Sequence, residues 1–148
     1  MVTIAEEFLP EERLRRLASC DNLAEVRELQ MTVDTSEQTL GDLGLRLPRL
    51  EQLRLSNSNV QTLRDLGTAM GSLRVLWLAQ SCLQELEGVG AFGSLTELYV
   101  AFNSISDLSP LMNTERLQVL DLEANAIKDP AQAWPASPHA ACACSSSA

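Results

Sequence analysis

The chain has 148 residues, of which 45% are hydrophobic, so it can bury the core of one domain. Its 11 Lys and Arg are outnumbered by 20 Asp and Glu, which gives a formal net charge of −9. Because this acidic chain has no run of basic residues, we expect neither nucleic acid nor an anionic membrane surface as a partner.

The N-terminal sequence MVTIAEEFLPEERLRR does not predict a secretory signal, because Glu6 and Glu7 interrupt the apolar stretch that such a signal needs. No window reaches the roughly 18 apolar residues of a membrane-spanning helix. The four cysteines are sparse and show no pairing pattern, which favours a reducing compartment. We therefore expect a cytoplasmic location.

The first predicted element is an amphipathic helix that begins near Pro10. Proline is favoured in the first turn of a helix, and the two glutamates that follow it favour a helix N-terminus. Leu14 and Leu17 give this helix one apolar edge. We expect residues 1–25 to form a helical cap over the unit that follows.

From residue 26 onward the sequence repeats the spacing L-x-x-L-x-L, which is typical of a leucine-rich repeat in its short form of about 22 residues. Copies start near residues 26, 50, 73, 95 and 117. Three positions after the last residue of each L-x-x-L-x-L stands a polar residue: Asp34, Ser58, Ser81, Asn103 and Asn125. Alternate side chains of the central L-x-L point inward from a short strand. The polar residue can bond backbone groups that the following turn leaves unpaired.

This pattern predicts an α/β solenoid over residues 26–128. A parallel sheet lines its concave face, and short 3₁₀ or extended segments form its convex side. The first copy contains a one-residue insertion, after which Leu40 and Leu43 restore the spacing. Since Ser58 and Ser81 replace only part of what an asparagine can bond, we expect the N-terminal coils to be held less tightly than the last two.

Residues 129–148 depart from the repeat and predict a disordered tail. Their composition is Ala, Pro, Ser and Cys without a period, and Pro130, Pro135 and Pro138 disfavour both helix and strand. The last coil is therefore expected to lack a neighbour on one flank.

The side chains between the inward leucines face solvent on the concave sheet, and they form the candidate site. Trp77 and Tyr99 fall at the same position of adjacent copies, although only 4% of the chain is aromatic. Tryptophan and tyrosine are enriched at the buried centres of protein interfaces, but they can also simply cover a sheet. The predicted protein-binding face comprises Arg54, Val75, Trp77, Glu97, Tyr99, Phe102, Asp121 and Glu123.

Catalysis finds no support in the sequence. The single histidine, His139, lies in the tail, so the repeat carries no imidazole base for a hydroxyl or thiol nucleophile. Phosphate-binding glycine motifs are absent from the sequence, and the spacing His139, Cys142, Cys144 is too short a set to predict a metal site. We expect a non-enzymatic protein without cofactor, metal or small-molecule substrate.

Several segments also carry a more specific resemblance. The short repeat with DLxxL convex segments is similar to the phosphatase-regulatory class of leucine-rich repeat proteins. The non-repeat details resemble the leucine-rich repeat-containing protein 56 family of motile cilia and flagella, from about Glu6 to Asp129. They lie in EEFLPEERLRRL, MTVDTSEQTLGDLGLRLPRLEQLRL, TLRDLGTAMGSLRVLWLA, ELYVAFNSISDLSPL and LQVLDLEANAIKD.

This resemblance implies an adaptor that supports assembly of axonemal dynein arms together with intraflagellar transport. The expected partners are then components of intraflagellar transport or of the dynein arms. The resemblance also implies a location in the cilium or flagellum. Family members continue beyond Asp129 with another coil, a cap and a low-complexity region, where this sequence has its atypical tail. Two alternatives stay open. The concave face can belong to a regulatory subunit of a phosphatase or another catalytic partner, or the chain can be a truncated form that self-associates through an uncapped end.

Overall fold

A stack of coils, each contributing one short strand, forms the body of the molecule. The computed structural model describes residues 11–36, 40–127 and 141–143. Its parallel sheet has the strand order β1-β2-β3-β4-β5-β6, so each strand pairs with the next one in the chain. The strands are β1 Glu28–Gln30, β2 Gln52–Arg54, β3 Val75–Trp77, β4 Glu97–Tyr99, β5 Val119–Asp121 and β6 Ala141–Ala143. The predicted solenoid with a parallel concave sheet is confirmed.

The central leucine of each repeat fixes the register of the sheet. Partners across successive strands are Leu29, Leu53, Leu76, Leu98 and Leu120, and all of them are buried. Because alternate side chains of a strand point to opposite faces, the residues before and after each leucine lie on the concave surface. One leucine column therefore sets the positions of every residue on that face.

The convex segments from β1 to β5 each contain one short helix, which agrees with the short repeat length. The helix α1, Glu11–Ala18, lies before the first strand, and α2, Leu43–Arg46, occupies the first convex segment. The other helical segments are 3₁₀ turns at Leu23–Glu25, Leu63–Leu66, Val89–Ala91 and Ser109–Asn113. None of the helices in the described ranges is both long and apolar enough to cross a bilayer. The predicted cap boundary of 1–25 includes residues 1–10, which lie outside the described residues.

Asparagine side chains join neighbouring coils from the inside. The Asn103 amide nitrogen donates to the carbonyl oxygens of Leu78 and Val100, both at 2.8 Å. Its side-chain oxygen accepts from the backbone N–H groups of Ser81 at 2.9 Å and Leu83 at 3.0 Å. Asn125 repeats this arrangement one coil later. Its side-chain oxygen accepts from the Ile105 backbone N–H, and its amide nitrogen donates to the carbonyl oxygens of Val100 and Leu122. The predicted role of the polar position is thus seen directly.

Serine makes fewer of these connections in the earlier coils. The Ser58 hydroxyl oxygen accepts from the Val33 N–H at 3.0 Å, and the Ser81 hydroxyl donates to the Leu55 carbonyl at 3.0 Å. Both serines are buried. A hydroxyl has a single hydrogen to donate, whereas an amide can donate two and accept at its oxygen.

The coils that follow β2, β3, β4 and β5 each leave the strand through a residue in the left-handed conformation. The φ angles are 61° at Asn57, 54° at Gln80, 59° at Phe102 and 54° at Ala124. The Gln80 N–H donates to the Ala101 carbonyl at 3.1 Å, and the Phe102 N–H donates to the Glu123 carbonyl at 2.8 Å. This conformation costs non-glycine residues roughly 1–2 kcal/mol, and these bonds to the next coil oppose that cost.

The tail differs from the prediction at three residues. Ala141–Ala143 pairs with β5 in parallel, with Val119 opposite Ala141 and Asp121 opposite Ala143. The prolines that disfavour a strand all precede this segment, so its own N–H groups are free to pair with the edge of β5. The flank of β5 that was expected to be open therefore carries a strand. The rest of the predicted tail, together with residues 37–39 of the irregular first copy, lies outside the described residues.

The irregular first coil packs against the second through a glycine. A Cβ built at Gly44 would overlap the backbone carbonyl group of Ala69, whereas one built at Gly71 meets open space. Replacing Gly44 by Ala is expected to lower the free energy of unfolding by roughly 1–3 kcal/mol, since two backbones must separate. Gly71→Ala should change it by less than about 0.5 kcal/mol. Urea denaturation followed by circular dichroism compares the pair, and equal midpoints would contradict the proposed contact.

At the polar position of the repeat, loss of the Asn103 side chain should lower the free energy of unfolding more than loss of the Ser58 hydroxyl. We expect Asn103→Ala to lower the free energy of unfolding by roughly 2–4 kcal/mol, because it leaves several backbone groups without partners. Ser58→Ala should cost about 1 kcal/mol. Exposed Ser104 provides the control, with an expected change near zero. Urea denaturation measures all three variants, and a Ser58→Ala cost as large as that of Asn103→Ala would contradict the expected difference between the coils.

Candidate functional site

Four side chains stand at one register position of four adjacent strands. Arg54, Trp77, Tyr99 and Asp121 are successive partners from β2 to β5. Neighbouring strands lie about 4.8 Å apart, so each side chain is within reach of the next. We call these four residues the central column.

The two aromatic rings of the central column are stacked. The centroids of Trp77 and Tyr99 are 5.6 Å apart and the ring planes differ by 8°. Both side chains are half-buried. A stacked pair at this distance contributes roughly 0.5–1.5 kcal/mol beyond the area it buries. The two rings therefore form one rigid apolar step on the concave face.

A cation closes one end of this stack. The guanidinium carbon of Arg54 lies 4.6 Å from the Trp77 ring centroid, on an exposed side chain. Cation–π pairs at exposed sites contribute about 0.5–1 kcal/mol. The sequence placed Arg54 on this face but did not predict its contact with Trp77. Arg54 occupies the same repeat position one copy before Trp77, and this spacing could have predicted the contact.

Carboxylates surround the other end. The Tyr99 hydroxyl donates to a Glu97 carboxylate oxygen at 2.7 Å. This hydrogen bond raises the pKa of Tyr99 above its ordinary value of 10.0, and partial burial and the negative charges of Glu97 and Asp121 raise it further. An Asp121 carboxylate oxygen accepts from the Glu123 backbone N–H at 3.1 Å. The face thus passes from a cation at Arg54 to acid at Asp121 and Glu123.

Besides Glu97 and Glu123, which bond to Tyr99 and Asp121, two further predicted residues lie outside the central column. Val75 is only 8% exposed, so the expectation that it faces solvent is wrong. It is short, and it stands in register between the longer side chains of Gln52 and Glu97. Phe102 is 51% exposed beyond the end of β4, where its left-handed backbone directs the chain away from the sheet.

A shallow groove of about 390 Å³ opens beside Arg54 at the N-terminal end of the face. Its apolar wall includes Leu17 and Ala18 of α1 and Leu29 of β1, and its far side reaches Trp77. The sequence placed Leu17 with Leu14 on one apolar helix edge. Leu14 is fully buried, but Leu17 is 37% exposed because it lies at the end of the helix. Its position one residue before the helix end is the signal that could have identified it.

The described residues offer no cluster of three or more His, Cys, Asp or Glu side chains suited to a metal ion. His139 and Cys144 lie outside the described residues. Cys20 and Cys82 carry free thiols, half-buried and exposed respectively, and neither lies in the central column.

The chain is similar to proteins named leucine-rich repeat-containing protein 56. It is 50% identical to the human protein over 126 residues, which is 85% of this chain and 23% of that protein. It is 54% identical to the mouse protein over 124 residues, 84% of this chain and 22% of that protein. The chain therefore spans less than a quarter of the length of these relatives. No family model matches it.

A solved structure supports the fold. The crystal structure of internalin C2 from Listeria monocytogenes superposes with a TM-score of 0.60 at 24% identity, covering 74% of this chain and 47% of that chain. At this level of identity the likeness concerns the architecture alone.

The chain has a single tyrosine, so its ionisation can be followed directly. We expect Tyr99 to titrate above 10.0 in the folded protein and nearer 10.0 in denaturant. Because the folded pKa is raised, the stability that this group contributes is complete below the unfolded pKa and is lost as the pH rises through the folded value. Glu97→Gln should lower the folded pKa.

Tyrosinate absorbance against pH measures this shift for the native chain and for each variant. Glu28→Gln removes one carboxylate from the same face at β1, three strands away, and is the matched control. Identical titration curves for the native chain and Glu97→Gln would contradict the hydrogen bond.

Proposed function

Because the chain belongs to the leucine-rich repeat proteins, a class that binds other proteins, we propose that it is a non-enzymatic adaptor whose concave face holds a partner protein. The observation that carries this proposal is the stacked pair Trp77 and Tyr99 at the centre of the sheet. Core packing does not require aromatic residues there, since the leucine column already fills the interior.

The stack has the properties of an interface centre. Its rings are fixed by each other and by Arg54, so little side-chain freedom is lost when a partner binds. Both rings keep part of their surface accessible, and charged side chains border them. A rigid aromatic centre with a polar rim is the usual arrangement of residues that dominate binding energy.

The finer proposal concerns the partner. By its resemblance to leucine-rich repeat-containing protein 56, the chain supports assembly of axonemal dynein arms with intraflagellar transport, in the cytoplasm and in the cilium or flagellum. The partners proposed on this ground are components of the transport machinery or of the dynein arms. Similarity over 84% of the chain to the mouse protein supports this, while the match covers 22% of that protein.

The test is a pull-down from ciliated-cell extract with identification by mass spectrometry. We expect the native chain to recover named transport or dynein-arm proteins, and the double variant Trp77→Ala/Tyr99→Ala to recover them at least tenfold less, since central aromatic residues contribute about 2 kcal/mol or more each. Met112→Ala is the matched control, because Met112 is 64% exposed on the convex 3₁₀ turn.

Circular dichroism must show that all variants are folded. Equal recovery by the native chain and the double variant would exclude the concave face as the binding site. Recovery of phosphatase catalytic subunits instead would replace the dynein-arm proposal with the regulatory-subunit alternative.

A further inference from the structure

The central column changes its chemistry between Tyr99 and Asp121. One face of the Trp77 ring is covered by Arg54, and the other is stacked on Tyr99. The other face of the Tyr99 ring is directed towards β5, where Asp121 is the residue in register with Tyr99. An aspartate side chain is much shorter than a tyrosine ring, so among the described residues it leaves part of that ring face accessible.

Asp121 also bends towards its own strand. Its carboxylate accepts from the Glu123 backbone N–H at 3.1 Å, which holds it near the backbone of its own strand. Glu97 borders the same ring through its hydrogen bond to the hydroxyl, and Glu123 is exposed beside them. Among the described residues, this ring face is therefore bordered by Asp121 on the neighbouring strand and by Glu97 at the hydroxyl, with Glu123 two residues beyond Asp121. We call this space the Tyr99 slot.

We propose that the Tyr99 slot receives an arginine side chain of the partner protein, whose guanidinium stacks on the Tyr99 ring and pairs with Asp121 and Glu123. This inference rests on the proposed function, since it specifies the chemistry of the partner that the concave face holds. The partner accordingly presents a basic segment to the acidic half of this face, which complements the net charge of −9.

The shape of the slot favours arginine over lysine. A guanidinium is planar, stacks on aromatic rings and bonds a carboxylate through two N–H groups, whereas an ammonium is a compact, strongly hydrated charge. The protein already shows the first of these contacts, with Arg54 stacked on the outer face of Trp77. A second guanidinium on Tyr99 would complete a stack of two rings between two cations.

Repulsion between the two cations is weak. Arg54 and the slot are separated by nearly three strand spacings, roughly 12–14 Å. That separation exceeds the Debye length of about 8 Å at physiological ionic strength, so the solvent screens most of the interaction. The carboxylates of Asp121 and Glu123, in contrast, lie directly at the slot.

The test uses three acetylated and amidated tripeptides, Gly-Arg-Gly, Gly-Lys-Gly and Gly-citrulline-Gly, titrated into the whole chain. Citrulline keeps the planar shape of arginine without its charge. The readout for all three peptides is the ring resonances of the single tyrosine by NMR at neutral pH, where arginine and lysine are both charged. For the arginine peptide the tyrosinate titration is a second readout, because a cation in the slot lowers the pKa of Tyr99. We expect the arginine peptide to bind several-fold more tightly than the lysine peptide and the citrulline peptide to leave Tyr99 unchanged.

Two variants of equal charge test the position. Asp121→Asn should weaken binding of the arginine peptide roughly tenfold, which corresponds to the loss of one charge-assisted pair. Glu28→Gln, on the distant strand β1, should change it by less than about twofold. If both variants weaken binding of the arginine peptide equally, net charge alone explains the effect. If the arginine and citrulline peptides bind equally well, the positive charge has no role. Either result overturns the proposal.

The peptide titration and the pull-down test different statements, so their results can be told apart. If the arginine peptide fails to bind while the double variant Trp77→Ala/Tyr99→Ala still loses its partner, the slot is wrong and the adaptor function stands. If the peptide binds as expected but no transport or dynein-arm protein is recovered, the slot stands and the identity of the partner is wrong.

Discussion

The in-register pairing of parallel strands is the constraint on which the rest of this molecule depends. A buried leucine occupies the same position in β1 to β5, and the coil length between strands keeps these leucines level with one another. Any shift by one residue would turn the leucines outward and the central column inward. The stack of Arg54, Trp77 and Tyr99 exists because the core permits no other alignment of the strands that carry it.

The interior of the coils explains how so short a strand is sufficient. Three residues pair with each neighbour, so most backbone groups of a coil need partners elsewhere. Asn103 and Asn125 supply them inside the turn, and each bonds both its own coil and the preceding one. Stability thus accumulates from one coil to the next, as expected for an architecture in which each unit contacts its immediate neighbours.

The period of the sequence predicted the fold because it constrains every coil in the same way. It also placed Trp77 and Tyr99 on adjacent strands, although their role in binding stays a prediction. Contacts that depend on side-chain conformation could not be derived, such as Arg54 over the Trp77 ring or the cover that long neighbours give Val75. The strand Ala141–Ala143 was missed because its pairing with β5 follows no period and its composition gave no local signal.

The stacked rings add a side-chain contact between β3 and β4, whose backbones are already paired. A solenoid changes its curvature by small rotations between successive coils, and on the concave side such a rotation alters the spacing between strands. Trp77 and Tyr99 stand on different coils, so flattening or tightening the curve must change the 5.6 Å distance between their centroids. The aromatic pair therefore links the curve at the middle of the sheet to the distance between two rings, and a partner that binds both rings contacts two coils at once.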